Sequence, residues 1–124
     1  MSELEFIAAD PASPAWRSPL GDALADAPAG IRDVSAEVDG AVAARLGPAA
    51  GLAGIEVAGA RARQLLRRLT DLDPDAAPAI GPVASVRTLL VVADDDRLRL
   101  WFPQEYSDHM AVCVLDAAAG VEWA

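Results

Sequence analysis

The pattern of apolar and polar positions over residues 52–120 predicts the order strand, helix, link, strand, turn, strand, helix. Residues 52–57 alternate loosely between apolar and other positions, which predicts a strand before the turn at Gly59. Residues 60–72 have apolar positions at i, i+3, i+4 and i+7, which predicts a helix with one buried stripe. That stripe consists of Ala62, Leu65, Leu66 and Leu69. The dipeptide 73–74, Asp-Pro, ends the predicted helix.

A β-hairpin follows in the predicted order. Residues 76–83 contain two prolines, one of them in a Gly-Pro pair, which predicts a loop. Residues 86–92 and 97–102 are predicted strands, and the acidic triplet 94–96 is the turn between them. Alternation gives the second strand two different faces. One face carries Leu98, Leu100 and Phe102, and the other carries Arg97, Arg99 and Trp101.

The last predicted helix begins at Ser107, whose hydroxyl suits an N-cap, and is closed by Gly120. Its expected buried stripe consists of Met110, Ala111, Val114, Leu115 and Ala118. Residues 121–123 are expected to add a short strand. The predicted fold class is α+β, a ferredoxin-like domain built on a split βαβ unit.

The N-terminal third gives weaker signals and divides at residue 30. Residues 1–30 contain four prolines and are predicted to form an extended arm, followed by one domain over 31–124. Residues 31–34 and 38–46 are each read as a strand, with the Asp-Gly pair at 39–40 as a turn; a short helix over 42–46 is the alternative. The arm carries Phe6, Ile7, Trp16 and Leu20. These large apolar side chains either fold back on the core of the chain or dock on a partner subunit.

Composition limits the function classes. The 124 residues carry 19 Asp and Glu against ten cations, all of them Arg, for a net charge of −9. Such a chain is poorly suited to bind nucleic-acid phosphates or anionic membranes. Cys113 is the single cysteine, which excludes an internal disulfide and favours the cytoplasm. The acidic start does not resemble a signal peptide, and no apolar run reaches the about 20 residues of a membrane span.

Candidate chemistry is sparse, and no catalytic, cofactor-binding or metal-ligating residue is predicted. His109 and Cys113 supply at most two metal ligands, and Cys113 lies among apolar residues that disfavour a thiolate. The triplet 94–96 lacks the spaced ligands of a calcium loop. The arginines of the 60–72 helix form either a solvated face or a contact with an acidic surface. Trp101 is either a cross-strand cover or an interface anchor, since Trp and Arg are enriched at interface hot spots.

Four segments resemble one family. They are 57–62 (VAGARA), 66–73 (LRRLTDLD), 81–88 (GPVASVRT) and 102–108 (FPQEYSD). Their order and spacing resemble the glycine-cleavage T-protein (aminomethyltransferase) superfamily, and most of all the gamma subunit of heterotetrameric sarcosine oxidase. The segment 17–20 (RSPL) is similar to the start of such gamma subunits.

The resemblance implies a fold like one lobe of the T-protein and a small accessory subunit in a flavin-dependent amine oxidase or dehydrogenase. The expected partners are the larger alpha- and beta-type flavoprotein subunits, which would carry FAD or FMN, tetrahydrofolate and NAD, with no cofactor on this chain. The residues expected at the partner interface are Phe6, Trp16, Arg17, Leu20 and Trp101. The alternative is a free-standing folate-binding, small-ligand-binding or regulatory domain. The chain is too short for both lobes that enclose folate in full-length members.

Overall fold

A five-stranded antiparallel sheet organises the chain, with the strand order β1-β2-β5-β4-β3. The computed structural model describes residues 16–47 and 51–123. The strands are β1 (Ile31–Asp33), β2 (Leu52–Ala58), β3 (Ala79–Val83), β4 (Val86–Asp94) and β5 (Arg97–Pro103). The helices are α1 (Gly40–Leu46), α2 (Ala62–Arg67) and α3 (Ser107–Gly120). The α+β class is therefore confirmed.

Strands β2 and β4 run in the same direction on either side of β5, because both pair antiparallel with it. Along the chain they are connected through α2 and the edge strand β3. Two parallel strands connected through a helix, with a third strand between them, have the strand order of the predicted split βαβ unit. Strand β3, which pairs with β4 where a loop was predicted, is an addition to that unit.

One face of the sheet, called the first face here, is closed by α2 and α3. The row Ile55, Leu100 and Leu90 crosses β2, β5 and β4 on this face and is at most 1 % exposed. Helix α2 buries Ala62, Leu65 and Leu66 against it. Helix α3 contributes Met110, Ala111, Val114, Ala117 and Ala118. The predicted stripes of both helices are thus largely confirmed, with Leu69 and Leu115 only half-buried.

The opposite side, called the second face, has a smaller cover. The 3₁₀ turn Ser35–Glu37 and the seven-residue α1 lie over its centre. The predicted strand over 38–46 is wrong and the helical alternative is confirmed, because Asp39 caps the helix by accepting from the Val42 amide at 3.0 Å. The apolar cluster beneath consists of Val34, Val42, Leu52, Leu89 and Trp101.

Several predicted boundaries are corrected. Residues 79–83 form the edge strand β3 instead of a loop, since a proline is tolerated on an edge strand where it removes no ladder hydrogen bond. Ser107 is the first helical residue and not the N-cap, and its hydroxyl donates to the Gln104 carbonyl at 2.6 Å. Helix α3 ends at Gly120, but the C-cap position is Val121. Residues 121–123 form no strand; the Trp123 indole donates to the Ala29 carbonyl at 2.9 Å.

Candidate interaction face

Two of the family-like segments, 66–73 and 81–88, meet at the rim where α2 is followed by β3. The Thr70 hydroxyl donates to the Pro82 carbonyl at 2.6 Å, and the Ala84 amide donates to the Leu69 carbonyl at 2.8 Å. Gly81 lies against Leu72, where an added Cβ would stand 2.7 Å from a methyl carbon. These residues hold the edge strand to the segment after α2, so they specify the fold of the rim.

The second face carries a row of charges across three strands. Arg32 of β1 pairs in register with Glu56 of β2, which pairs with Arg99 of β5. Glu56 is only 3 % exposed. Arg32 Nε donates to Glu56 Oε2 at 2.7 Å, and Arg99 Nε donates to Glu56 Oε1 at 3.0 Å. A third guanidinium, that of Arg97, lies 3.9 Å from Glu56 Oε1.

Glu37 extends this row from the 3₁₀ turn above the sheet. Its carboxylate accepts from Arg32 at 2.8 Å and from Arg99 at 3.0 Å, so both arginines bridge the two glutamates. The hydrogen bond from Arg32 holds the pKa of Glu37 below its ordinary value. Burial opposes ionisation of Glu56, but the hydrogen bonds from Arg32 and Arg99 outweigh it and lower its pKa. The pKa of Arg32 is raised by its bonds to Glu56 and Glu37. We name these five residues (Arg32, Glu37, Glu56, Arg97 and Arg99) the charge network.

Sequence reasoning missed the charge network, although one signal was available. Glu56 is the single charged residue in the otherwise apolar strand β2. On a two-sided sheet its alternation from Ile55 and Val57 places it on the second face, beside the arginines that β5 presents there. The partner segment 35–37 was not predictable from that alternation.

Trp101 lies inside the molecule, which corrects the prediction that it anchors a partner. Its side chain is 2 % exposed and is covered by Val34, Val42 and Leu89. The ring lies over Gly54, where an added Cβ would stand 2.4 Å from a ring carbon. Both backbone groups of Gly54 bind the covering segment: its amide donates to the Ser35 hydroxyl and its carbonyl accepts from the Val34 amide. The chain itself thus covers Trp101, which agrees with the cross-strand alternative and not with the expected interface anchor.

Leu20 also belongs to the chain's own core. It is 2 % exposed and packs in the cluster of the first face with Ile31 and Val57. Ser18 holds this segment in place by donating from its hydroxyl to the Asp33 carboxylate. The burial of Leu20 agrees with the alternative in which the arm folds back on the core of the chain, and not with the expected contact to a partner.

The remaining predicted interface residues belong to the same N-terminal stretch. Trp16 is half-buried and Arg17 is exposed, and the Arg17 guanidinium donates to the Trp16 carbonyl at 2.9 Å. Phe6 and Ile7 lie outside the described residues. The structure does not bring Leu20 and Trp101 into one surface, since Leu20 packs on the first face and Trp101 on the second.

The second face is open beside α1. A groove of about 210 Å³ lies between α1, strand β4 and the segment before β3. Val42, Leu89 and Val91 form its apolar floor, and Arg45 and Pro78 stand at its sides. Ile80, which pairs with Leu89, is 40 % exposed next to it. A face that is apolar at its centre and charged at its rim resembles a protein-interaction surface.

Two of the four arginines in the predicted 60–72 helix bind other parts of the chain. Arg61 donates to the Val121 carbonyl at 2.7 Å, and Arg63 pairs with Asp75 at 3.2 Å and also donates to the Asp95 carbonyl. Two of the arginines expected on a solvated or partner-facing surface therefore tie α2 to neighbouring segments.

His109 and Cys113 adjoin without forming an activated pair. The two side chains are 3.8 Å apart, but His109 Nε2 lies 2.8 Å from the Ala84 carbonyl, to which it must donate. The same nitrogen then has no lone pair with which to take the thiol proton. Across the described residues no group of three or more His, Cys, Asp and Glu side chains is placed to hold a metal ion. Within the same residues, no helix combines the length and apolar character needed to cross a membrane.

No family model matches this chain, and none of the curated proteins matches it either.

Proposed function

We propose that this chain is a small accessory subunit, of the sarcosine oxidase gamma type, in a multisubunit flavin-dependent amine oxidase or dehydrogenase. Its role is structural, in assembly, and it contributes no catalytic residue. The larger subunits would hold the flavin, with tetrahydrofolate and NAD where the complex uses them. The substrates of the complex would be secondary or tertiary N-methyl amines or imino acids.

The contacts among the family-like segments carry this proposal. Across the rim of the sheet, the Thr70 hydroxyl donates to the Pro82 carbonyl and the Ala84 amide donates to the Leu69 carbonyl, which joins two of those segments. Residues that hold a fold together do not identify a reaction. A resemblance that rests on them therefore supports a similar fold, here one like a single lobe of the T-protein, and supports no shared chemistry. A lobe of this kind is suited to completing an assembly.

The partly covered second face supports the same role. The first face is closed by two helices, whereas the second leaves a groove and the exposed side chain of Ile80. The groove, at about 210 Å³, is smaller than the roughly 300–1,000 Å³ typical of small-molecule sites. For this groove, the size and the apolar lining therefore favour a side chain of a protein partner over a bound folate.

Co-expression tests the proposal. The tagged full chain is expressed with the large flavoprotein reading frames that neighbour its gene, and the purified material is analysed by size exclusion and absorbance. We expect a yellow hetero-oligomer that contains this chain, and a colourless protein when the chain is expressed alone. The proposal fails if the large subunits assemble without the chain, or if the isolated chain carries flavin or binds tetrahydrofolate at micromolar concentration.

A further inference from the structure

We infer that the groove beside α1 binds an acidic, apolar segment of a partner protein, with one large apolar side chain in the groove and carboxylates on the flanking arginines. This inference deepens the proposed accessory role by naming a surface and the chemistry of what it binds. The binding site comprises Val42 and Arg45 of α1, Leu89 and Val91 of β4, Ile80 of β3 and Arg87 of β4.

The shape of the site indicates a side chain and not a whole ligand. The floor is apolar, and it is bounded on one side by a helix of only seven residues. Leu89 is buried, Val91 is half-buried, and Ile80 remains 40 % exposed. An aromatic or aliphatic side chain placed here would remove apolar surface of the groove from water, which favours binding.

Charge specifies the partner. The second face and its cover carry five of the ten arginines of the chain, namely Arg32, Arg45, Arg87, Arg97 and Arg99. The acidic groups on the described strands and cover of this face are Glu37 and Glu56, which bind the arginines of the charge network, Asp39, which caps α1, and Asp94, which pairs in register with Arg97. This face is thus locally positive on a chain of net charge −9.

Two of these arginines are left for a partner. Arg45 stands at the groove, where its guanidinium donates only weakly to the Ala41 carbonyl at 3.4 Å. Arg87 lies on the same side of β4 as Leu89 and Val91 and is exposed. Within residues 16–47 and 51–123 neither guanidinium forms an ion pair with a carboxylate. Guanidinium groups bind carboxylates in a bidentate manner, so an acidic segment fits them.

A nucleic acid fits the same arginines less well. The overall charge of −9 repels a phosphate backbone, and an apolar groove provides no ionic partner for phosphates. A protein segment with carboxylates on both sides of one Leu or Phe satisfies the groove and both arginines together.

Peptide binding to the full chain tests the inference without any partner subunit. Three synthetic twelve-residue peptides serve as probes: one with Glu around a central Leu-Phe pair, one with Lys in place of Glu, and one with Ser in place of Leu-Phe. Binding to the ¹⁵N-labelled chain is followed by amide chemical shifts. We expect the Glu/Leu-Phe peptide alone to bind, with shifts confined to α1 and residues 87–92, and at least fivefold weaker binding in 0.5 M NaCl.

Matched variants sharpen the result. The double variant Arg45→Glu/Arg87→Glu is expected to weaken peptide binding at least tenfold, whereas Arg67→Glu, an exposed arginine of α2 on the other side of the sheet, leaves it unchanged. Ile80→Ser is expected to weaken binding at least threefold, and Val112→Ser, an exposed apolar side chain of α3, serves as its control. Melting curves verify that each variant is folded, and Arg45→Gln/Arg87→Gln replaces the double variant if it is not.

The inference is overturned if no peptide binds, if the Lys peptide binds as well as the Glu peptide, or if the shifts map away from the groove. Those results leave the accessory role standing when the hetero-oligomer still copurifies. Conversely, peptide binding at the groove together with failed copurification removes the accessory role and leaves the acidic-segment site in place.

Discussion

The two faces of the sheet bury their centres by different means. On the first face, Leu100 packs in a purely apolar layer with Ile55 and Leu90 beneath two helices. On the second face, its neighbour Trp101 packs beneath a short helix and a 3₁₀ turn, and the charge network borders it. Consecutive residues of one strand are thus equally buried, although only one of them carries a side chain that sequence patterns assign to a core.

The length of the covering helices explains the difference. Helix α3 has 14 residues and lays a continuous apolar stripe along the first face, together with α2. Helix α1 has seven residues and covers only part of the second face. Where α1 does not cover the second face, ion pairs complete it on one side and a groove remains on the other. The first face therefore supplies stability, and the second combines stability with an open surface.

The sharpest test of this comparison is a pair of truncations on β5. Trp101→Ala is expected to lower the free energy of unfolding by about 3–5 kcal/mol, and Leu100→Ala by about 2–5 kcal/mol, because both leave a cavity under a closed cover. Urea titration followed by circular dichroism measures both. A Trp101→Ala variant as stable as the unmodified chain would show that this side chain is not buried. The centres of the two faces would then not be equally buried.

A second test concerns the segment before β1. Leu20→Ala is expected to cost about 2–4 kcal/mol, since Leu20 is buried with Ile31 and Val57. Leu24→Ala, on the same segment but only half-buried, is the control and is expected to cost less. If the Leu20→Ala variant and the unmodified chain have equal thermal stability, residues 16–30 do not contribute to the core of the first face.

The charge network is tested by Glu56→Gln. The substitution keeps the shape but removes the charge that Arg32 and Arg99 bind, and we expect a loss of about 1–3 kcal/mol at pH 7. The loss is below the value for a fully buried pair because half of the Arg32 side chain is exposed to solvent. Glu105→Gln, at an exposed position, is the control and is expected to change stability by less than about 0.5 kcal/mol.

The same network makes a smaller, pH-dependent contribution. The pKa values of Glu56 and Glu37 are lower in the folded chain, so their stabilisation is complete above the unfolded value of about 4.3 and is lost as pH falls through the folded values. The stability difference between the unmodified chain and Glu56→Gln should therefore be constant above about pH 5 and shrink below it. Chemical denaturation at a series of pH values measures this, and a difference that grows on acidification would contradict it.

Local patterns determined most of the element order from residue 52 onward. The alternation of β5 and the 3.6-residue stripes of α2 and α3 state which side chains face the core, and the structure buries them there. The same patterns failed at 38–46 and 79–83. An Ala-rich segment fits a strand or a helix equally, and a proline-containing strand is recognised only once its neighbour β4 is in place.

The sequence by itself determined the α+β class, the apolar first face and the scarcity of reactive groups. Only the tertiary structure decided what lies on the second face, because its cover comes from residues 34–46 and its ion pairs join residues up to 62 positions apart. No periodicity within one element records such contacts. In the sequence, a Trp between arginines resembles a surface anchor, but in the folded chain a helix covers it. The role of the single Glu in β2 is evident only in the folded chain, where three arginines surround it.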